Sequence, residues 1–404
     1  MQKNTRYLLW NTAALLISYM VIAMTLPVIS VFVTKELGYS NSIGGLAIGI
    51  TFFATILSRG FFGKLADSKG GKTCMIRGLP LYALGSFICF TAAKMSAYPL
   101  LALALLLTGR IILGLGDSMV LVGMLSWNIA LLGPQRSALV FSLVGASIYG
   151  AIALGGPLGM LCLKEFGFAG LLLLCSPLPI FGLLMISLVP AALPKATKTS
   201  TSFLSVFKSI WREGTIVFSQ GVGFAALGAF TFLYFSSQGW PNAGFSLTCF
   251  GLGFVFMRIA FGNLPDKIGG MRVALASLLV VACGQLLLWL APCAQIALTG
   301  AFLTGIGCSL VYPAMGTEVI RKVPPQLRGT AVGCFAIFQD IAYGTTAPIA
   351  GLFADHYGYS IVFMFGFIMA FLGLSIAILT LTKGTPRTNY CTKNANFRSD
   401  CDLN

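Results

Sequence analysis

Long apolar runs follow one another along almost the whole chain, separated by short polar stretches that hold most of the charge. They fall at roughly 8–34, 43–63, 74–94, 98–132, 137–163, 169–193, 214–238, 245–264, 273–291, 294–320, 329–354 and 359–382. A helix needs about 20 apolar residues to cross the hydrocarbon core of a bilayer. Inside a bilayer each backbone polar group must be bonded within its own segment, so runs of this kind fold as helices. Twelve such helices leave room in 404 residues for short loops and for no separate soluble domain. Charged residues make up 9% of the chain, against about 25% in soluble domains. Soluble, nucleic-acid-binding and disordered classes are thereby excluded, and the expected partner is the lipid bilayer, with no nucleic acid.

The net charge of +15 reflects where Lys and Arg lie. With the N-terminus in the cytoplasm, twenty of the 26 fall in cytoplasmic segments and three (Lys35, Lys94, Lys164) in outside segments. This positive-inside bias puts both termini in the cytoplasm. The first apolar run is too long for a signal-peptide core and is expected to be an uncleaved span. The remaining cations, Arg59, Arg110 and Arg258, lie inside apolar runs. The 11 Cys are scattered without a CxxC pair, and the one His, His356, has no Cys at ligand spacing, so neither a disulfide framework nor a metal site is expected. No nucleophile–base pair or phosphate-binding loop suggests an enzyme, and no Walker motif suggests ATP drive.

The two halves repeat each other. RGFFGKLADSKGG at 59–71 matches RIAFGNLPDKIGG at 258–270, an offset of 199. TGRIILGLGDS at 108–118 matches TGAFLTGIGCS at 299–309, an offset of 191. At the second offset Pro134–Gln135 matches Pro325–Gln326, and Pro157 matches Pro348. A six-helix unit repeated in parallel marks one transporter architecture. The expected organisation is therefore a half at 1–193, a cytoplasmic linker at 194–213, a second half at 214–382 and a polar cytoplasmic tail at 383–404.

These motifs carry a resemblance. The stretch Gly63–Lys72 (GKLADSKGGK) resembles the signature loop between spans two and three of the major facilitator superfamily. Arg110 followed by Gly114 resembles the fourth-span signature of its drug:proton antiporter-like branch. Gly156-Pro157-Leu158-Gly159 resembles the fifth-span antiporter signature, one residue short between Pro and Gly. Residues 220–230, 239–270 and 328–354 are similar to the YhhS/YfcJ-type permeases, a group described as sugar or arabinose efflux proteins, whose relatives include exporters of metal-chelating metabolites. The resemblance implies an all-α membrane protein, twelve transmembrane helices in two pseudo-symmetric six-helix bundles, in a bacterial inner membrane. It implies proton-coupled export of a small metabolite, chelating metabolite, sugar-like compound or drug, with import by symport or facilitation as the alternative. The partners would be a small-molecule substrate and protons, the coupling source a proton gradient without a cofactor, and the expected state a monomer.

A charge at the bilayer centre costs at least about 2.5–3.5 kcal/mol, so each intramembrane charge needs a partner or a wet cavity. Arg59 and Arg258 recur at the same place in both repeats, which favours a structural role, bracing a half or holding the cytoplasmic gate, over direct substrate contact. Asp67 and Asp266 also recur, each at a helix end with glycines behind it. A carboxylate there can oppose the positive end of a neighbouring helix. By resemblance Asp67, with Gly63, Gly71 and Lys72, forms a conformational latch that has Asp266 as its second copy. Arg110 and Asp117 are not preserved by the repeat, where Ala301 and Cys308 stand instead. Seven residues apart, they share a face of span four, about 10 Å apart along the axis. They form either a helix–helix ion pair or a proton-coupling pair, and the resemblance supports the second. Asp340, whose repeat counterpart is Tyr149, is either a coupling carboxylate or the structural partner of Arg258 or Arg110. Gln339 is expected to pack on a different face. The family's cavity is lined by spans one, four, seven and ten, where Asn11, Tyr19, Thr25, Gln220, Tyr234 and Tyr312 are the polar and aromatic candidates.

Overall fold

The computed structural model describes residues 2–133, 136–192, 203–241, 243–323 and 328–382. The repeat matches at 134–135 and 325–326, the first part of the expected linker and the expected tail lie outside the described residues. The described residues are helical almost throughout. Helix α1 (Gln2–Val31) runs into a π-helical turn at Phe32–Glu36. Helix α2 (Asn41–Lys69) starts at Ser40, whose hydroxyl accepts the Ile43 N–H and so satisfies one of the first-turn donors. Helices α3 (Gly71–Lys94) and α4 (Pro99–Leu132) follow, α4 with Pro in its first turn, where no N–H is needed. Helix α5 (Ser137–Cys175) is broken at Gly167, whose φ of 67° turns the chain back; its second part leads into α6 (Leu178–Ser187). The second half comprises α8 (Trp211–Ser237), α9 (Phe245–Phe261) with the short α10 (Leu264–Ile268), α11 (Gly270–Trp289), α12 (Ala294–Lys322), α13 (Arg328–Tyr357) and α14 (Ile361–Thr382).

Among the described residues nine helices are long and apolar enough to cross a membrane, one of them the run through both parts of α5 and α6. Counting that run as two passes, and adding α9 and α13, gives twelve passes in two six-helix bundles. The linker differs from its expectation. A short helix α7 (Phe203–Ser209) lies within it and packs on α13, with Phe207 stacked on Phe338, and α8 begins at Trp211. The apolar Phe207 and Val206 give this segment a face to bury, which overrides the polar composition around it.

The bundles repeat in packing as in sequence. In the first, α3 lies on α4 and α1 on α5; in the second, α11 lies on α12 and α8 on α13. Gly85 meets Gly109 across α3 and α4, and Gly284 meets Gly300 across α11 and α12, each position close enough that a Cβ would strike the partner's carbonyl. Small residues let membrane helices approach to backbone contact.

The two ends of the molecule differ. One end carries Lys64, Lys69, Lys72, Lys267, Arg272 and Lys322 and is called here the basic end. At the opposite, far end the halves touch: α2 packs on α13, α5 on α9 and α1 on α8. A Cβ on Gly45 would stand 2.1 Å from the Ala347 carbonyl oxygen, and one on Gly49 2.3 Å from that of Gly344. The Ser30 hydroxyl donates to Ala229 O at 2.8 Å and Lys35 Nζ to Ser236 Oγ at 2.8 Å. Asp355 of α13 accepts the backbone and side-chain N–H of Asn41 at the start of α2, at 2.9 and 2.7 Å. The contacts just named all cross between the halves. At the basic end the named contacts run within one half: Lys72 Nζ to the carbonyls of Ser187 and Val189, Trp127 Nε1 to that of Pro190, and Lys322 to Glu213 at 2.6 Å.

Candidate functional site

Between the halves, at mid-depth, charged and phenolic groups lie in layers. Nearest the basic end is an ion pair that joins them: Arg59 Nη2 of α2 to Asp340 Oδ2 of α13, 2.5 Å apart, each side chain 13% exposed. Arg59 is therefore the partner of Asp340, in place of the Arg258 or Arg110 expected from the sequence. The reason is topological. Helix α2 crosses α13 closely through Gly45 and Gly49, and continuing that crossing toward the basic end brings Arg59 to Asp340.

Arg110 and Asp117 share α4 as expected, but no ion pair joins them among the described residues. Arg110 is 1% exposed and turns to α2, where its Nε donates to Ala47 O at 3.1 Å. Asp117, 4% exposed, accepts the phenol of Tyr82 on α3. Two turns of helix place the two side chains beside different neighbours, and each neighbour offers a nearer partner than the other charge. Tyr19 of α1 lies within electrostatic range of Asp117, Asp340 and Tyr149.

Next toward the far end is a phenol–amide network. Tyr149 Oη of α5 and Tyr343 Oη of α13 lie 3.0 Å apart, and Gln339 Nε2 donates to both. Gln339 thus belongs to the centre of the interface, correcting its expected packing role: it stands one turn before Tyr343 on the same face of α13. Tyr149 stacks on Phe254 with centroids 3.6 Å apart, and Phe224 meets Tyr343 edge-on at 5.1 Å. A small apolar pocket lined by Leu26, Ile48, Phe52, Phe224 and Tyr343 lies between these rings and the far end. Phenol, ring and apolar layers close the space between the halves on that side.

Arg258, the repeat partner of Arg59, is held differently. Its Cζ lies 5.2 Å from the Phe254 ring centroid, its Nε is buried without a hydrogen-bond partner, and among the described residues no carboxylate pairs with it. It lies within electrostatic range of Tyr149.

The other candidates separate. Tyr312 packs against Phe335 with the rings tilted and their centroids 4.8 Å apart. Gln220 is 1% exposed with Oε1 unpartnered. Asn11 donates to Asn128 Oδ1 at 3.0 Å, tying α1 to α4. The Thr25 hydroxyl returns to Val21 O of its own helix. Tyr234 belongs to an aromatic cluster with Trp240, Phe235 and Phe363 near the far end, away from the charged layers. Asp67 and Asp266 are exposed at the basic end and have no hydrogen-bond or ion-pair partner among the described residues. Gly63 borders open space, while Gly71 lies so close to Gly123 and Trp127 of α4 that a Cβ would not fit. Glu318 caps the start of α11 through Gly270 N at 3.1 Å. Lys322 pairs with Glu213, which is wholly buried. Among the described residues no group of His, Cys, Asp or Glu could hold a metal.

Two six-helix bundles joined at one end, with a charged pair spanning them, have the architecture of a multi-pass membrane transporter. The chain belongs to the Major Facilitator Superfamily, whose family model matches residues 12–292 and 241–396. It is 40% identical over 370 residues to an uncharacterized MFS-type transporter of Salmonella typhimurium, covering 92% of this chain and 95% of that one. It is 35% identical over 361 residues to another of Burkholderia mallei, covering 89% and 88%. The crystal structure of the human organic anion transporter MFSD10 (TETRAN) superposes with a TM-score of 0.71 at 16% identity, over 93% of this chain and 99% of that one, a likeness of fold. The protein is a multi-pass membrane transporter and not an enzyme.

Proposed function

We propose that the protein lies in a bacterial inner membrane as a monomer with its basic end and both termini in the cytoplasm, and exports a small metabolite, chelating metabolite, sugar-like compound or drug in exchange for protons. On this orientation the far end is periplasmic and the conformation described faces the cytoplasm. The observation that carries the reading is the Arg59–Asp340 pair, which crosses the halves inside the membrane. A carboxylate paired with an opposing guanidinium ties its helix to the partner; a proton on it releases the tie. Protonation of Asp340 then loosens α2 from α13 and favours rocking. Asp117 is the second proton site, with Tyr82 as its donor, and Arg110 positions α4 against α2. Tyr19, Tyr312 and Gln220 line the path. When the basic end closes, Asp67 and Asp266, unpartnered here, find helix starts in the opposite half, with Gly63, Gly71 and Lys72 shaping the first copy of this latch. The proton gradient supplies the drive and no cofactor takes part.

The test compares metabolites inside and outside cells with and without the protein, before and after the proton gradient is collapsed. Export predicts a compound depleted inside and enriched outside, with both changes lost on collapse. The reverse pattern establishes import. Import by proton symport is the second reading, and one observation favours it. Three guanidinium groups (Arg59, Arg110, Arg258) face two carboxylates (Asp117, Asp340), so a proton on Asp340 strengthens the pull on an anion.

A further inference from the structure

The repeat that places Arg59 opposite Asp340 has a second copy. Arg258 stands 199 residues after Arg59, and Tyr149 stands 191 residues before Asp340. Helix α2 faces α13 across the halves, and α9 faces α5 in the same way. The pair Arg59–Asp340 thus has Arg258–Tyr149 as its counterpart. In one copy the guanidinium meets a carboxylate at 2.5 Å; in the other it meets a phenol's surroundings and no anion. Among the described residues none fills the position of the carboxylate in the second copy.

The local geometry suits an incoming anion. Arg258 lies over one ring, Phe254, on which Tyr149 also stacks. Its Nη2 lies 3.8 Å from the point where a Cβ on Gly145 would stand, and Gly145 is one turn before Tyr149, so the wall opposite the guanidinium is bare backbone. Tyr149 and Gln339 add a hydroxyl and an amide at the same level. Arg258 is half-buried with its Nε wholly buried; a charge largely withdrawn from water is costly unless it is paired, and a fixed guanidinium binds oxyanions through parallel N–H donors.

Resting on the reading of the interface as the transport path, we infer that Arg258 anchors the anionic group of the substrate, which takes the place that Asp340 fills in the other repeat. The substrate class is a small organic anion, a carboxylate, sulfonate or phosphate ester, whose apolar body passes the bare wall at Gly145.

The test uses the purified full-length protein in detergent, with thermal unfolding followed as benzoate, benzenesulfonate or phenyl phosphate is added, and benzyl alcohol and benzylamine as neutral and cationic controls. At least one anion should raise the midpoint saturably, and neither control should. Arg258→Gln should weaken the response at least ten-fold, Arg258→Lys should keep part of it, and Gly145→Leu, which fills the bare wall and leaves the charge, should abolish it. Tyr149→Asp restores the carboxylate of the other repeat. It should raise the midpoint above that of Tyr149→Asn with no anion added, and remove the response to anions. A wild-type response by Arg258→Gln, an equal response to benzyl alcohol, or no response to any of the three anions overturns the inference. The assay has neither membrane nor gradient, so anion binding without proton movement would remove proton coupling alone, and proton-coupled transport of neutral solutes would remove the anion site alone.

Discussion

Replacing Asp340 by Asn keeps the shape of the side chain and removes its charge, leaving Arg59 alone between the halves. Two unit charges about 4 Å apart attract by about 4 kcal/mol at an effective dielectric of 20. Removing one member of a buried pair typically costs about 3–5 kcal/mol, because the other stays desolvated. Both side chains retain 13% exposure, so water recovers part of this. The expected loss is ~2–4 kcal/mol, seen as a fall of several degrees in the unfolding midpoint in detergent. Removing the guanidinium as well, in Arg59→Gln/Asp340→Asn, should recover at least half of the fall, since the pair is then replaced by two neutral amides. Transport gives the second readout. In vesicles of known orientation Asp340→Asn should lose the pH dependence of transport while exchange without a gradient continues. Wild-type stability together with wild-type pH dependence would refute the reasoning, because neither the pairing nor the proton step would then need the carboxylate.

Asp117→Asn should abolish proton-driven transport and leave counterflow partly intact; normal uphill transport by this variant removes Asp117 from the coupling scheme. Asp67→Asn should slow turnover with a smaller effect on substrate affinity and leave the unfolding midpoint unchanged, because Asp67 has no partner in this conformation; unchanged turnover contradicts the latch. Gly45→Leu places a side chain where a Cβ already stands 2.1 Å from the Ala347 oxygen. Overpacking of about 1–3 kcal/mol shifts a two-state balance roughly 5–150-fold. Labelling of residues near Gly45 from the far side should therefore rise, and unchanged labelling would show that the far-end contact bears no weight.

The fold was legible because its causes are written along the chain. Apolar length dictates the spans, loop charge orients them, and the 199- and 191-residue offsets announce two bundles. The short helix α7 was missed although Phe203, Val206, Phe207 and Ile210 have helical spacing, because the Lys, Ser and Thr around them make the stretch read as a polar linker. The candidate site was legible as a set of charges and illegible as a set of pairs. Pairing depends on how one half crosses the other, and neither charge nor spacing encodes that crossing. The glycines that permit it, Gly45 and Gly49, could have pointed to α2 as the helix that brings a cation to Asp340. Tyr149 carried a signal as the repeat counterpart of Asp340, and Tyr343 as a neighbour one turn beyond Gln339. Tyr82 carried none, since a tyrosine in a membrane helix is ordinarily a packing residue.

The central claim is that a proton at the Arg59–Asp340 pair governs which end of the molecule is open. Distances between spin labels test it most directly, with one pair at the exposed far-end positions Glu36 and Gln238 and another at the exposed basic-end positions Ser68 and Lys267, in a cysteine-free background. As pH is lowered the far-end distance should lengthen and the basic-end distance shorten together, with one midpoint, and in Asp340→Asn both should be independent of pH. Two distances that ignore pH in the wild type, or that still respond in Asp340→Asn as in the wild type, would contradict the account.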